Sequence, residues 1–136
     1  MGPRFAGRPM PLGHEFAGDV LEIGSGVTSF RVGDRVAYNS NNSPADMGRG
    51  GECGGFSHYV VLREVDGHVQ SLCRVPDNVS FDHAALVEPI SVGTHAVNRA
   101  NPGPGESVTL FGSGPIGLGI IMTLIGRGID DIIVFD

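Results

Sequence analysis

The sequence is poor in cysteine and in basic side chains, and each shortage excludes a class of protein. Its 2 cysteines, Cys53 and Cys73, form no C-x-x-C pair, so a disulfide framework is not indicated. Its 9 lysine and arginine residues face 15 aspartates and glutamates, which leaves no basic stripe for the phosphates of a nucleic acid. The first ten residues lack the apolar core of a secretory signal, so we expect a cytoplasmic protein.

The composition is that of a globular protein. The 136 residues are 40% hydrophobic and 18% charged, which suffices for an ordinary domain with a core. Residues 107–126 carry no charge and are long enough to span a bilayer. Five glycines and Pro115 interrupt this stretch, however, and a strand, a glycine loop and a buried helix would use all of them. We therefore favour a chain with no membrane partner.

Short β-like segments separated by turn signals dominate the first half of the chain. The predicted strands lie at 19–23, 35–38, 56–62 and 72–75, and a long glycine-rich loop is predicted over 39–55. Short strands at this spacing predict an all-β barrel or sandwich unit.

The pattern becomes helical after Pro76 and then alternates between strand and helix. Ser80 is predicted to cap a helical region that is interrupted at Pro89. The elements predicted beyond it are a strand at 108–111, a helix from about Pro115 that stops near Gly128, and a strand at 132–135. The two halves are therefore expected to be different domains, with a boundary near residues 88–100.

The sequence GSGPIG follows the strand predicted at 108–111 and opens the helix predicted after it. It fits the G-x-G-x-x-G pattern of dinucleotide-binding loops. Gly112 would permit the tight turn, Gly114 would let the backbone approach a pyrophosphate, and Gly117 would let helix pack on strand. The helix start at Pro115 and Ile116 would direct unpaired N–H groups and positive partial charge towards the phosphates.

An aspartate at the end of the next predicted strand completes this pattern. Asp136 lies nineteen residues after Gly117, where a carboxylate would accept hydrogen bonds from the adenosine ribose. The same charge would repel a 2′-phosphate, which favours NAD over NADP. The alternative is a plain strand–helix turn that binds nothing.

A histidine and a glutamate stand side by side, as His14 and Glu15, behind Gly13 and ahead of an apolar run. An imidazole nitrogen and a carboxylate are both good ligands for zinc. A solvated hairpin edge is the other interpretation, and from these residues alone it is the more common arrangement.

Three motifs in order resemble the medium-chain zinc-dependent alcohol dehydrogenases: GHEFAGDVLEIGSGVTSFRVGDRV, EPISVGTHAV and GSGPIGLG. The second motif is similar to the sorbitol (polyol) dehydrogenase branch. The resemblance covers nearly the whole chain. It implies a mixed β and α/β fold: a GroES-like β-barrel catalytic domain over residues 1–90, followed by the first βαβ unit of an NAD-binding Rossmann domain over residues 91–136.

The resemblance also implies a catalytic zinc site. His14 matches the zinc-binding histidine of the family's G-H-E motif, and in polyol dehydrogenases the glutamate at the position of Glu15 binds the zinc or swings towards it. Glu88 matches a position where other members carry a zinc cysteine, and it would contact the metal directly or through water. Both glutamates are the expected catalytic residues, and Val92 matches a position that lines the nicotinamide pocket. Without the resemblance, Glu88 is best interpreted as a surface carboxylate at a helix end.

The sequence departs from the family pattern in several places. The 13 residues before His14 contain no counterpart of the upstream zinc cysteine or of the proton-relay residue beside it. Residues 39–55 contain only Cys53, so we expect one catalytic zinc and no structural zinc. The sequence stops after the second Rossmann strand. We therefore expect a segment truncated at both ends, without full activity by itself.

The expected function is oxidation of a polyol or secondary alcohol to a ketone by hydride transfer to NAD. A zinc-free quinone reductase of the same superfamily and a non-catalytic NAD-binding fragment are the alternatives. For the full-length form, a homodimer or homotetramer is expected.

Overall fold

The computed structural model describes residues 10–43, 46–48, 51 and 53–136, and it divides the chain into two compact units, Met1–Leu86 and Val87–Asp136. The predicted division into 1–90 and 91–136 stays a prediction. The first nine residues and part of the predicted loop over 39–55 lie outside the described residues. Among the helices that the structure describes, none has the length and apolar character needed to cross a bilayer.

An antiparallel sheet of three short strands forms the centre of the first unit. Its strands are β1 (Ala17–Asp19), β2 (Arg35–Tyr38) and β3 (Leu72–Arg74), in the order β1-β2-β3. Gly18 of β1 lies opposite Val36 of β2, which in turn lies opposite Arg74 of β3. The described strands thus form a small sheet with β1 and β3 at its edges. Strand β2 occupies the predicted residues.

The two faces of β2 contribute to two hydrophobic clusters, because successive strand side chains point to opposite faces. Val36 packs with Phe30 and Val65, and Ala37 packs with Val75 and Ala84. The clusters cover both faces of the central strand, which explains why β2 is an apolar run without strict alternation of polar residues.

Helix α1 (Phe81–Ala85) begins where the sequence predicts it. The Ser80 hydroxyl accepts a hydrogen bond from the His83 N–H at 3.2 Å, which satisfies one of the unpaired donors at the helix start. Arg35 connects the sheet to this region, because its guanidinium donates to the carbonyls of Pro76 and Val79, each at 2.7 Å.

Two of the predicted strands in this unit are wrong in whole or in part. Residues 56–62 form bends and irregular chain, so His58 does not lie on a strand as predicted. The Ser57 hydroxyl bonds locally to the carbonyls of Gly54 and Tyr59, at 3.1 and 2.8 Å, and such local bonds compete with strand pairing.

The strand predicted at 19–23 is displaced towards the N-terminus. The observed strand begins at Ala17 and ends at Asp19. It ends there because its partner β2 begins at Arg35, directly opposite Asp19, and the residues between the two strands form a turn. The Val20 N–H still donates to the Asp34 carbonyl at 2.9 Å, and the Gly33 N–H donates to the Val20 carbonyl at 2.8 Å, which closes the turn.

The second unit contains the predicted strand–helix–strand arrangement. Its elements are α2 (Val87–Ala100), β4 (Val108–Phe111), α3 (Pro115–Gly126) and β5 (Ile132–Phe135), and β4 and β5 are parallel. Gly128 adopts a φ of +77°, and its N–H donates to the Ile125 carbonyl at 2.9 Å, so α3 stops where a glycine permits a left-handed conformation.

The predicted interruption of the helix at Pro89 is wrong. The break falls at Leu86, and α2 runs without interruption from Val87 to Ala100. Pro89 lies in the first turn of α2, where its missing N–H removes no intrahelical bond.

Helices α2 and α3 approach each other closely at small residues. A Cβ on Gly93 would lie 2.7 Å from the Gly119 carbonyl carbon, so only glycine fits there. One turn away, the Thr94 and Thr123 hydroxyls are 3.0 Å apart, and Thr123 also donates to the Gly119 carbonyl at 2.8 Å. Thr94 is therefore the donor of the bond between the helices. Val97, Leu124 and Ile129 form the adjoining core.

Candidate functional site

His14 and Glu15 lie in the segment that leads into β1, and their potential ligand atoms are within 4.8 Å of each other. His14 is half-buried and Glu15 is exposed. Immediately after the pair, the Phe16 carbonyl accepts a hydrogen bond from the Tyr38 N–H at 3.0 Å. The rings of Phe16 and Tyr38 stack with their centroids 4.9 Å apart. The pair is thus followed directly by an anchored residue.

The other side of the pair is held by the glycine-rich loop. The Gly55 N–H donates to the Gly13 carbonyl at 2.8 Å, and the Phe56 N–H donates to the Leu12 carbonyl at 3.1 Å. Gly13 itself has a φ of +87°, a conformation that favours glycine. Backbone bonds therefore fix the chain on both sides of His14 and Glu15.

Glycines of this loop let it lie close to the backbone of Leu12 and Gly13, and the sequence alone does not predict this role. A Cβ on Gly54 would lie 2.3 Å from the Leu12 carbonyl oxygen, and one on Gly48 would lie 2.1 Å from the Gly13 carbonyl oxygen. The signal in the sequence is the density of glycine between residues 48 and 55, which predicts a loop but not its contact with the segment that carries His14.

Glu88 belongs to the second unit, where it is the second residue of α2. It is buried, with 9% of its surface exposed, so the interpretation as a surface carboxylate is wrong. Its backbone carbonyl accepts a hydrogen bond from the Ser91 hydroxyl at 2.7 Å. A carboxylate in the first turn is stabilised by the positive end of the helix dipole.

The three glycines of the G-x-G-x-x-G motif differ in what they permit. Gly112 has a φ of +96°, and its N–H donates to the Phe135 carbonyl at 2.7 Å. A Cβ on Gly117 would lie 2.2 Å from the Gly112 carbonyl oxygen, so the helix can approach the strand only with glycine there. A Cβ on Gly114 would meet nothing within 4 Å, so the backbone at Gly114 faces open space.

The start of α3 has the geometry of an anion-binding helix end. Pro115 occupies the first helical position, and the carbonyl of the capping residue Gly114 accepts from the Leu118 N–H at 2.9 Å. The N–H groups of Ile116 and Gly117 belong to the first turn, which has no intrahelical acceptors for them. Elsewhere in this unit, Val92 is exposed on α2.

Asp136 is exposed at the carboxyl end of β5 and is held by Ser113, a residue that the sequence interpretation missed. The Ser113 N–H donates to Oδ1 at 3.0 Å, and its hydroxyl donates to Oδ2 at 2.7 Å. The hydroxyl bond and then the N–H bond lower the pKa of Asp136 below 3.8, against a small opposing effect of burial. The signal in the sequence was a hydroxyl residue inside the glycine loop.

The comparisons with known proteins establish the class. Residues 2–77 match the family described as the alcohol dehydrogenase GroES-like domain, which is more than half of the chain. The chain belongs to the medium-chain zinc-dependent alcohol dehydrogenase family, in its polyol-dehydrogenase-like branch. The fold predicted from the sequence, a GroES-like domain followed by a βαβ unit, is confirmed.

Individual relatives are similar over nearly all of this chain. It is 39% identical to (R,R)-butanediol dehydrogenase of Bacillus subtilis strain 168, over 91% of this chain and 38% of that protein. It is 34% identical to sorbitol dehydrogenase of the same strain, over 95% of this chain and 40% of that protein.

A solved structure extends the likeness to three dimensions. An alcohol dehydrogenase of Escherichia coli CFT073, described as short-chain and solved in complex with NADH, superposes with a TM-score of 0.75 at 31% identity. The match covers 92% of this chain and 41% of that one. The chain thus spans about two fifths of the length of the proteins that it matches.

Proposed function

We propose that the protein containing this chain is an NAD-linked, zinc-dependent oxidoreductase that converts a polyol or secondary alcohol to a ketone. The observation that carries the proposal is the His14–Glu15 pair, whose ligand atoms lie within 4.8 Å of each other on a backbone anchored on both sides. Butanediol and sorbitol dehydrogenases among the relatives support an alcohol as the substrate class.

The donor set of the chain suits one zinc ion. His14 offers an imidazole nitrogen, and Glu15 and Glu88 offer carboxylate oxygens, which are ligand types that zinc accepts. A catalytic zinc site keeps one position open, and a substrate hydroxyl would occupy it. The chemistry that a bound zinc ion supplies is Lewis-acid lowering of the pKa of that hydroxyl. Glu15 and Glu88 are the proposed catalytic residues, because their carboxylates would bind the metal to which the substrate hydroxyl would also bind.

The glycine loop suits the pyrophosphate of NAD. The open space beside Gly114 admits a close approach to the backbone, and the first turn of α3 adds N–H donors and positive partial charge. Gly112 and Gly117 form the turn that places these groups, and Asp136 would accept from the adenosine ribose. Val92 is proposed to line the nicotinamide pocket. The cofactor supplies the hydride acceptor, and the chain supplies binding and orientation.

The metal content, location and oligomeric form of the protein are also proposed. With only 2 cysteines in the sequence, the chain cannot supply four thiolates, so we propose one catalytic zinc and no structural zinc. A cytoplasmic homodimer or homotetramer remains the expected form. A zinc-free quinone reductase remains the second candidate within the superfamily, and the anchored His14–Glu15 pair favours the zinc enzyme over it.

His14→Ala in the gene product that contains this chain tests the proposal. It removes the only nitrogen ligand of the proposed set, so we expect loss of bound zinc and loss of the NAD-dependent oxidation that the unsubstituted protein shows with sorbitol, xylitol or butanediol. Zinc is measured by elemental analysis and turnover by NADH absorbance. His68→Ala, at an exposed histidine of the same unit, is the matched control and should retain both. Full zinc content with full turnover in the His14→Ala variant would contradict the proposed site.

A further inference from the structure

One residue of the glycine loop holds both oxygens of the Asp136 carboxylate. The Ser113 N–H donates to Oδ1 at 3.0 Å and the Ser113 hydroxyl donates to Oδ2 at 2.7 Å. The bond from the Gly112 N–H to the Phe135 carbonyl, 2.7 Å long, joins the same two segments one residue earlier. Since one donor reaches each oxygen, the rotation of the carboxylate is fixed as well as its position.

These two bonds leave Asp136 able to bind a ligand. An ionised carboxylate has about four lone-pair directions, and Ser113 uses one on each oxygen. The side chain is exposed, so the remaining directions are accessible. A ribose diol offers two O–H donors, and a carboxylate already fixed in orientation loses less conformational freedom when it accepts them.

The same donors favour the charged form of the carboxylate. Because the Ser113 hydroxyl and N–H bond to the ionised form, they lower the pKa of Asp136 below 3.8. At neutral pH, Asp136 is ionised, as an exposed aspartate is, and Ser113 sets the orientation of its carboxylate. A 2′-phosphate brought to this carboxylate would meet a like charge.

We propose that Ser113 is a positioning residue for cofactor choice: by holding the Asp136 carboxylate, it favours a ribose with a free 2′-hydroxyl over one with a 2′-phosphate. The inference rests on the proposed function, since it requires that Asp136 face the adenosine ribose of NAD. It adds a residue inside the glycine loop to the determinants of NAD preference.

Ser113→Ala in the gene product that contains this chain removes the hydroxyl bond. We expect the ratio of the dissociation constants for NADP and NAD, measured by isothermal titration calorimetry, to fall about tenfold, mainly through weaker NAD binding. Ser113→Thr retains a hydroxyl and should restore the ratio. Ser107→Ala is the matched control, because Ser107 makes the same kind of bond to Asp131 at the opposite end of β4 and β5. It should leave the ratio unchanged.

Two further measurements show whether Ser113 acts through Asp136. In an Asp136→Ala background, Ser113→Ala should produce no additional change in the ratio. Carbon NMR of the aspartate carboxyls should show a higher pKa for Asp136 in the Ser113→Ala variant. NAD binding with an unchanged NADP/NAD ratio in this variant would overturn the inference and leave the proposed function intact. Failure of the unsubstituted protein to bind NAD would overturn the proposed function, and the inference with it.

Discussion

At the scale of single residues, two aspartates outside the proposed site connect segments of the first unit that are distant in sequence. Asp34 is buried and lies 2.6 Å from an Arg74 guanidinium nitrogen, and the backbone N–H of Arg31 and the Arg74 side chain lower its pKa. Asp66 accepts from the Thr28 hydroxyl at 2.6 Å and from the Thr28 N–H at 2.7 Å. The first unit is thus held by charged hydrogen bonds as well as by its small cores.

Asp66→Asn should make stability less dependent on acid pH. The Thr28 hydroxyl, followed by the Thr28 and Ser29 N–H groups, lowers the pKa of Asp66 to about 2 from 3.8. The unfolded chain then binds more protons than the folded one between these values, so the contribution of Asp66 is full above about pH 4 and is lost as the pH falls through about 2. The Asp66→Asn variant should therefore unfold at a lower temperature than the unsubstituted protein at pH 6. The two unfolding temperatures should converge near pH 2.

Thr28→Val provides a companion to that experiment. It removes the largest cause of the lowered pKa and leaves the backbone donors in place, so the acid-sensitive part of the stability should move to higher pH. Unfolding curves for Asp66→Asn that stay equally displaced from the unsubstituted protein at every pH would show that the Asp66 bonds do not act through ionisation.

The residues of the candidate site differ in how far the sequence predicts them. His14 and Glu15 are neighbours, and the G-x-G-x-x-G glycines occur at fixed spacing, so local motifs reveal both. Ser113 and Gly54 were missed because their roles depend on partners 23 and 42 residues away, Asp136 and Leu12. Only the fold brings such pairs together.

At the scale of elements, the strand–helix–strand unit was predictable and the irregular part of the first unit was not. Strands β4 and β5 are parallel and apolar, and a glycine loop and a glycine stop bound the helix between them, so every local signal agrees. Residues 56–62 have the composition of a strand, but Phe56 and Tyr59 are exposed and Ser57 bonds locally. Composition alone does not show whether a partner strand is available.

Gly93→Ala tests the contact of α2 with α3. The new Cβ would meet the backbone of Gly119 and Ile120 at 2.7 Å, so the helices must separate, and we expect a loss of about 1–3 kcal/mol in unfolding free energy. Gly126→Ala, at an exposed position of α3 where a Cβ meets nothing within 4 Å, is the control. It should be neutral or stabilising by up to about 1 kcal/mol. Equal urea midpoints for the two variants would show that the close approach is not needed.

At the scale of the whole molecule, the residues proposed for the metal and for the cofactor are divided between the two units. His14 and Glu15 belong to the first unit, whereas Glu88, the glycine loop and Asp136 belong to the second. Each unit has its own apolar clusters. The matched relatives are more than twice as long as this chain, so activity must be measured on the gene product that contains it.

The most direct test of the account is zinc removal and return in that gene product, with NAD-dependent polyol oxidation as the readout. Elemental analysis should find one zinc per chain before treatment, since His14, Glu15 and Glu88 are proposed as ligands of a single zinc ion and residues 39–55 contain one cysteine. Sorbitol, xylitol and butanediol are the test substrates, and at least one of them should be oxidised. Chelation should abolish that oxidation, and addition of one equivalent of zinc should restore it. Undiminished turnover after complete removal of zinc, or two tightly bound zinc ions per chain, would contradict the account.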